Sequence, residues 1–371
     1  MTSTQAVILV GGKGTRLRPL TSNRPKPIVP LVDRPFMAYM LEWVASHGVT
    51  DVIMCCGFLA DSMVEEIGDG SRFGLHITWV VEPSPRGTAG ALWYAKPHLR
   101  DERFLMLNGD VLTDMDLTAQ VEAHVRTGAV GTLALVPVED PSAYGLVRLH
   151  PDDAVRGFLE KPTPEQIDTD LISAGAYVLE PSVFDLIPQD RLVSIEREVW
   201  PRLVGNGLYG SVHRGRYWMD IGTPTRYLEG TRDILSGRVL TQVARRLEDG
   251  PVDPSATVGD GSVVDRTALI DRGATIGPRV TVGSGSYVGP GATVGEEAIL
   301  ENAVVLAGAR VGAKARLRDC IVGVGAVLGD GVVLSDAAMV GDGATVADGN
   351  VLTHGVRIGP GASIAPSTVW F

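Results

Sequence analysis

Hydrophobic positions along this 371-residue chain follow two rhythms. Up to about residue 235 they form short apolar runs separated by stretches with helical spacing. Ala6–Val10, Val52–Cys56, Ile77–Val81 and Phe104–Leu107 read as short buried strands, with a helix over Pro35–Ser46 after the first. Thr132–Val136 and Ala174–Leu179 continue the series. Strands alternating with helices predict an α/β domain with a mostly parallel, Rossmann-like sheet. Residues 225–248 have amphipathic helical spacing, which Gly250-Pro251 ends.

Beyond that break the rhythm changes to six. Every sixth position from Val258 through Leu306 is Val, Ile or Leu, and so is every sixth position from Val322 through Ile364. A frame slip around Arg316–Cys320 separates the two runs. Glycine and small residues fill the intervals, as in VGPGAT and IGPGAS. One short strand and one turn per six residues, three to a coil, predict a left-handed parallel β-helix of about six to seven coils. The expected organisation is an α/β domain over residues 1–235, a helical linker over 236–250 and the β-helix over 251–371.

Composition narrows the function. A net charge of −11 disfavours nucleic acid and anionic membranes as partners, since both are polyanions. Any anionic ligand then needs a local basic patch, and Lys13, Arg16, Arg18, Arg24 and Lys26 all precede the first acidic residue, Asp33. Three cysteines, two of them adjacent in an apolar run, fit a reducing compartment. The opening MTSTQAVILVGG lacks a charged start and a long apolar core, so it does not read as a signal peptide, and a cytoplasmic location is expected.

The basic patch lies in VILVGGKGTRLRPLTSNRPKPIVPL. A strand runs into Gly11-Gly12-Lys13-Gly14, where glycines allow backbone N–H groups close to a phosphate chain. The spacing is neither GxxxxGK[ST] nor GxGxxG. Arg16 can clamp a pyrophosphate with two donors, and Lys26, stiffened between Pro25 and Pro27, offers a fixed cation. A solvated basic loop is the plain alternative.

GGxGTRLRPLT followed by KP resembles the signature of the sugar-1-phosphate nucleotidyltransferases. The likeness runs on through GTAG at Gly87–Gly90, NGD at Asn108–Asp110, YG at Tyr144-Gly145, EKP at Glu160–Pro162, SIEREVWP at Ser194–Pro201 and WMDIGTP at Trp218–Pro224, and it includes the β-helix. Within the family the chain looks most like the guanylyltransferases of mannose 1-phosphate.

The resemblance implies a nucleotide site at Val10, Gly11, Gly12, Gly14, Thr15, Arg16, Glu82, Gly87, Thr88 and Asn108. It implies a sugar-phosphate site at Gly145, Glu160, Lys161, Ser173 and Trp218. Arg16, Lys26, Asp110 and Lys161 would carry the chemistry, with Mg²⁺ on Asp110 and Asp220. Read from spacing alone, each Asp is a turn cap beside glycine, and Glu160-Lys161 an exposed ion pair. Ser173 departs from the Asn usual in the mannose enzymes, and Arg86 replaces an apolar residue before GTAG. The implied substrates are an NTP, GTP first, and a sugar 1-phosphate, mannose 1-phosphate first. ATP, UTP or dTTP and another sugar or cyclitol phosphate remain alternatives.

The implied reaction is in-line attack of the sugar phosphate on the NTP α-phosphorus, with pyrophosphate leaving and no protein nucleophile. A silent regulatory subunit would lack some of Arg16, Lys26, Asp110, Lys161 and Asp220, and this chain has all five. An acyltransferase would need a base between coils, and the repeat holds only His354, read as a surface turn residue. The β-helix is expected to serve assembly into a homo-oligomer.

Overall fold

The computed structural model describes residues 4–57, 59–189 and 191–369. Its contacts divide the chain into two compact units. One is residues 1–12 with 37–218, and the other is 13–36 with 219–371. The basic segment Lys13–Phe36 thus packs in the same unit as the β-helix.

In the first unit β1 (Gln5–Leu9), β2 (Asp51–Cys56), β3 (His76–Val81) and β4 (Phe104–Asn108) are parallel, in the spatial order β3-β2-β1-β4. The centre is apolar on both faces, as parallel strands require. Ala6, Val7 and Ile8 of β1 and Leu105, Met106 and Leu107 of β4 are all buried. Beyond β4 the sheet turns antiparallel, save that its last strand, Leu208–Val212, pairs parallel with Gly131–Pro137. β5 (Gly131–Pro137), β6 (Gly145–Leu149), β7 (Val155–Glu160), β8 (Leu171–Leu179) and β9 (Leu208–Val212) complete nine strands. β8 pairs with β4 and β5, and its register shifts between Ser173 and Tyr177. Helix α1 (Phe36–Ser46) occupies the expected place. α2 (Ala60–Ile67) follows β2, and α3 (Gly87–Ala95) packs on β1 and β2. α4 (Leu117–Thr127) starts on Asp116, whose carboxylate accepts from Ala119 N–H at 3.0 Å.

In the second unit the amphipathic stretch 225–248 is two helices, α5 (Pro224–Leu235) and α6 (Gln242–Glu248). The break is local. Gly237 takes a φ of 72°, and its N–H turns back to Ile234 O. The β-helix follows, with all-parallel pairs of two-residue strands and seven strands stacked in one sheet.

The ladder differs from the sixfold count in one respect. Its inward residues pass from Leu300 to Val305, then Val311, Leu317 and Val322, so two steps have five residues. Leu306 is buried but does not belong to the inward ladder, whose position Val305 fills. The cause is two tight corners. Asn302 (φ 47°) and Asp319 (φ 46°) both adopt left-handed backbone, and the Asn302 amide donates to the Asp319 carboxylate at 2.7 Å. Two seven-residue strands, Ile299–Val305 and Arg316–Val322, run through these corners. His354 lies in an exposed turn beside Thr353, as expected.

Candidate active site

Strand order reverses at β1, with β2 and β3 on one side and β4 on the other. The carboxyl ends of β1 and β4 therefore flank the crevice where open α/β sheets take ligands. Val10-Gly11-Gly12 leaves the first and Gly109-Asp110 follows the second. Val10 N–H donates to Cys55 O at 2.8 Å, and Gly109 N–H to Leu9 O at 2.9 Å. A β-carbon on Gly109 would stand 2.3 Å from Val10 Cγ1 and 2.8 Å from Leu9 O, so only glycine fits. Asp110, half-buried, comes next.

After β3 the chain returns to this turn. Glu82 N–H donates to Cys56 O at 2.8 Å, and a β-carbon on Gly11 would lie 3.2 Å from Glu82 Oε1. Burial pushes the Glu82 carboxyl above its ordinary range, although it accepts from Arg86 N–H. The space beside Gly11 is thus bounded by backbone and one reluctant carboxylate.

GTAG opens α3, and it is fastened to a segment more than a hundred residues away. Gly87 takes a φ of 76°, where a β-carbon would meet Val193 O at 2.5 Å. Val193 N–H donates to Arg86 O, and Ala89 N–H to Val193 O. The Thr88 hydroxyl donates to Glu196 at 2.8 Å and accepts from Ile195 N–H at 2.8 Å. Glu196 also accepts from the Ser194 hydroxyl. Arg86 is half-buried, and its Nε has no hydrogen-bond partner. Glu196 was not singled out from sequence, yet the SIEREVWP motif that carries it was.

The five residues expected to take the sugar phosphate form a connected set in the first unit. β6 and β7 pair Gly145 with Glu160, and a β-carbon on Gly145 would lie 3.2 Å from Glu160 Oε2 and 2.6 Å from Phe158 Cζ. Burial first, then the neighbouring Glu196, raises the Glu160 pKa. Lys161 follows with left-handed backbone (φ 54°), its N–H donating to Tyr144 O at 2.9 Å and its side chain exposed. Trp218 stands edge-on to Tyr144, centroids 5.3 Å apart, and donates from Nε1 to Ala174 O at 2.8 Å. Ser173 Oγ lies 3.1 Å from the Tyr177 hydroxyl. Burial raises the pKa of that phenol, and Asn108 hydrogen-bonds to it. Gly175 takes a φ of 74°, and a β-carbon there would lie 2.9 Å from the Asn108 amide. The end of β4 is thereby joined to β8.

In the second unit, Gly14 (φ 58°) leads into a turn over Thr15–Leu17. A β-carbon on Gly14 would lie 3.0 Å from Lys26 Cβ, so glycine also makes room for the buried stem of Lys26. Thr21 closes the turn, its hydroxyl donating to Gly14 O at 2.8 Å. Arg16 and Asp220 flank Gly222: a β-carbon there would stand 3.2 Å from Arg16 Nη2 and 3.1 Å from Asp220 Oδ2. Arg226, which sequence reading passed over, lies 3.8 Å from Asp220.

No group of three or more His, Cys, Asp or Glu among the described residues is placed to hold a metal. Asp110 lies in the first unit and Asp220 in the second, and each offers a carboxylate, a donor type that Mg²⁺ takes. That ion commonly takes one or two carboxylates and fills its octahedron with water and substrate phosphate oxygens.

Residues 5–237 match the Nucleotidyl transferase family, and residues 260–369 match the GMPPB C-terminal domain. Mannose-1-phosphate guanylyltransferase of Mycobacterium tuberculosis is 42% identical over 273 residues, covering 71% of this chain and 75% of that one. Mannose-1-phosphate guanyltransferase of Schizosaccharomyces pombe is 37% identical, covering 69% and 73%. Among solved structures, HddC from Yersinia pseudotuberculosis matches 61% of this chain and 97% of its own, at 27% identity and a TM-score of 0.54, and has also been solved complexed with GMP-PN. With two-thirds of its length shared with such relatives and a family match over more than half of it, the chain belongs to the nucleotidyl transferase family as a sugar-1-phosphate nucleotidyltransferase, similar to the mannose-1-phosphate guanylyltransferases.

Proposed function

We propose that this enzyme transfers GMP from GTP to mannose 1-phosphate, with Mg²⁺, giving GDP-mannose and pyrophosphate. The observation that carries the substrate pair is the likeness to named mannose-1-phosphate guanylyltransferases over more than two-thirds of the chain. The GMP-PN complex of HddC supports the guanine half.

A phosphate oxygen of mannose 1-phosphate attacks the α-phosphorus of GTP, and the bond to the β-phosphate oxygen breaks. The nucleophile is already ionised at pH 7, so no protein base is required. Positioning and charge neutralisation remain as the protein's work. Val10, Gly11, Gly12 and Thr15 offer backbone groups to the nucleotide, and Glu82, Gly87, Thr88 and Asn108 shape its surroundings. Arg16 steadies the leaving pyrophosphate, and Lys26 and Lys161 offset repulsion between the two phosphates. Gly145, Glu160, Ser173 and Trp218 take the sugar. Asp110 and Asp220 would hold Mg²⁺, which supplies further neutralisation of phosphate charge.

Ser173 supports a second acceptor. Its hydroxyl is engaged with Tyr177 and is shorter than the Asn of the mannose enzymes, so a related hexose or cyclitol 1-phosphate is the runner-up. Competition tests both halves: GTP against ATP, UTP and dTTP, with mannose and glucose 1-phosphates as acceptors. A site whose buried groups pair with guanine rejects other bases strongly, because unmatched partners cost free energy. Preference for ATP or dTTP overturns the guanine assignment.

A further inference from the structure

One face of the β-helix is unlike the other two. Its outward positions form a ladder, Leu269, Tyr287, Val304, Ile321, Met339 and Arg357, each paired in parallel register with the next. The first five are buried. On the neighbouring face the stacked outward residues Val263, Thr281 and Ile299 are exposed. The covered face has a partner within its own unit: α5 packs on the strands Ile299–Val305 and Arg316–Val322.

The same unit contains the basic segment Lys13–Phe36, and the β-helix grips it at both ends. At the last rung, Arg357 Nη1 donates to Arg16 O at 2.9 Å and to Arg18 O at 3.1 Å. Nearby in sequence, Asp342 pairs with Arg24. At the first two rungs, Tyr287 donates to Asp271 at 2.8 Å. Arg246 joins Asp271, at 2.7 Å, to Asp33, at 3.3 Å. Between these anchors the Tyr227 hydroxyl of α5 donates to Pro30 O. A six-residue repeat needs none of these groups to stack.

We propose that Arg357 is a positioning residue for nucleotidyl transfer, and that the β-helix sets the geometry of the triphosphate-binding segment through it. Arg16 lies in a three-residue turn closed by Leu17 N–H to Gly14 O and Arg18 N–H to Thr15 O, and its side chain is exposed. Arg357 bonds the carbonyls of Arg16 and Arg18 with one guanidinium. This fixes the backbone from which the Arg16 side chain reaches toward Asp220. The Arg24–Asp342 pair fixes the stretch that leads to Lys26. The proposal rests on the reading of Arg16 as the clamp on the leaving pyrophosphate.

The test compares full-length wild type with Arg357→Ala, Arg357→Lys and Asp342→Asn. Substrates are whichever nucleotide and sugar 1-phosphate wild type turns over, so a wrong substrate assignment shows in the wild-type panel alone. Loss of positioning lowers kcat for Arg357→Ala by about tenfold or more, with the KM for sugar 1-phosphate, melting temperature and oligomer mass unchanged. Lysine can reach one carbonyl, so Arg357→Lys recovers part of the loss. Asp342→Asn keeps the oxygen that accepts from Val324 N–H and breaks only the charge pairing with Arg24, giving a smaller fall in kcat. Unchanged kcat in Arg357→Ala overturns the proposal. So does an equal rise in both KM values with a lowered melting temperature, which marks general loosening. If Arg16→Ala itself leaves kcat intact, the reading of Arg16 fails instead.

Discussion

The Thr88 hydroxyl donates to the Glu196 carboxylate across 2.8 Å, joining the start of α3 to a residue 108 positions later. The same oxygen accepts from Ile195 N–H, so one side chain supports two connections. Thr88→Val keeps the shape and removes both. Such a loss costs about 1–3 kcal/mol, since Glu196 and the Ile195 amide each lose a partner. Denaturant midpoints measure it, and nucleotide KM rises alongside. An unchanged midpoint contradicts this account of the segment.

Asp110 leaves the end of β4 behind a glycine that no larger residue can replace. Asp110→Asn keeps the size and removes the charge that a divalent cation needs. Turnover at saturating substrates is expected to fall by a factor on the order of a hundred or more, with the melting temperature held. Near-normal turnover removes Asp110 from the metal site.

The three thiols, Cys55, Cys56 and Cys320, are free and buried. Burial pushes all three pKa values up, that of Cys56 to about 11. The thiolate is the reactive form, so at pH 8 about one Cys56 in a thousand is ionised. A colorimetric thiol reagent should therefore find almost nothing in the native protein and three thiols in denaturant. Rapid native reaction of even one contradicts the packing of β1 against β2 or of the β-helix corner.

How much of this was legible in the sequence depended on the range of the interaction. The six-residue rhythm is local and shows directly. The first of its two five-residue corners does not, because Val304-Val305-Leu306 offers three apolar residues in a row and either frame fits, while the second shows as the frame slip around Arg316–Cys320. The corner residues Asn302 and Asp319 were the available signal. The covered face was partly written in the sequence: the residue before the inward position is apolar at Leu269, Tyr287, Val304, Ile321 and Met339, where the other two faces mix Thr, Ser and Arg with Val and Ile. Motifs marked the candidate residues, but not their mutual support. Gly175 against Asn108 and Thr88 against Glu196 are contacts of remote segments, and no spacing rule reaches that far. The single helix expected over 225–248 failed at Ser236-Gly237, a stop signal that the surrounding amphipathic pattern masked.

Assembly can be measured apart from catalysis. Two outward positions on one β-helix face, Val263 and Ile299, are large, apolar and exposed. Homo-oligomerisation through the repeat predicts a light-scattering mass that is a multiple of 39.3 kDa for the full chain. A mass of one chain at working concentration contradicts it.

The central claim is direct nucleotidyl transfer at the α-phosphorus, and isotope fate tests it most directly. GTP labelled at the α-phosphate is incubated with full-length protein, Mg²⁺ and mannose 1-phosphate, and the label is followed into nucleotide sugar, free nucleotide and protein. The account predicts α-label in GDP-mannose, one pyrophosphate released per label transferred, and none on the acid-quenched protein. Label that stays on the protein, or leaves as free GMP or GDP without nucleotide sugar, contradicts it.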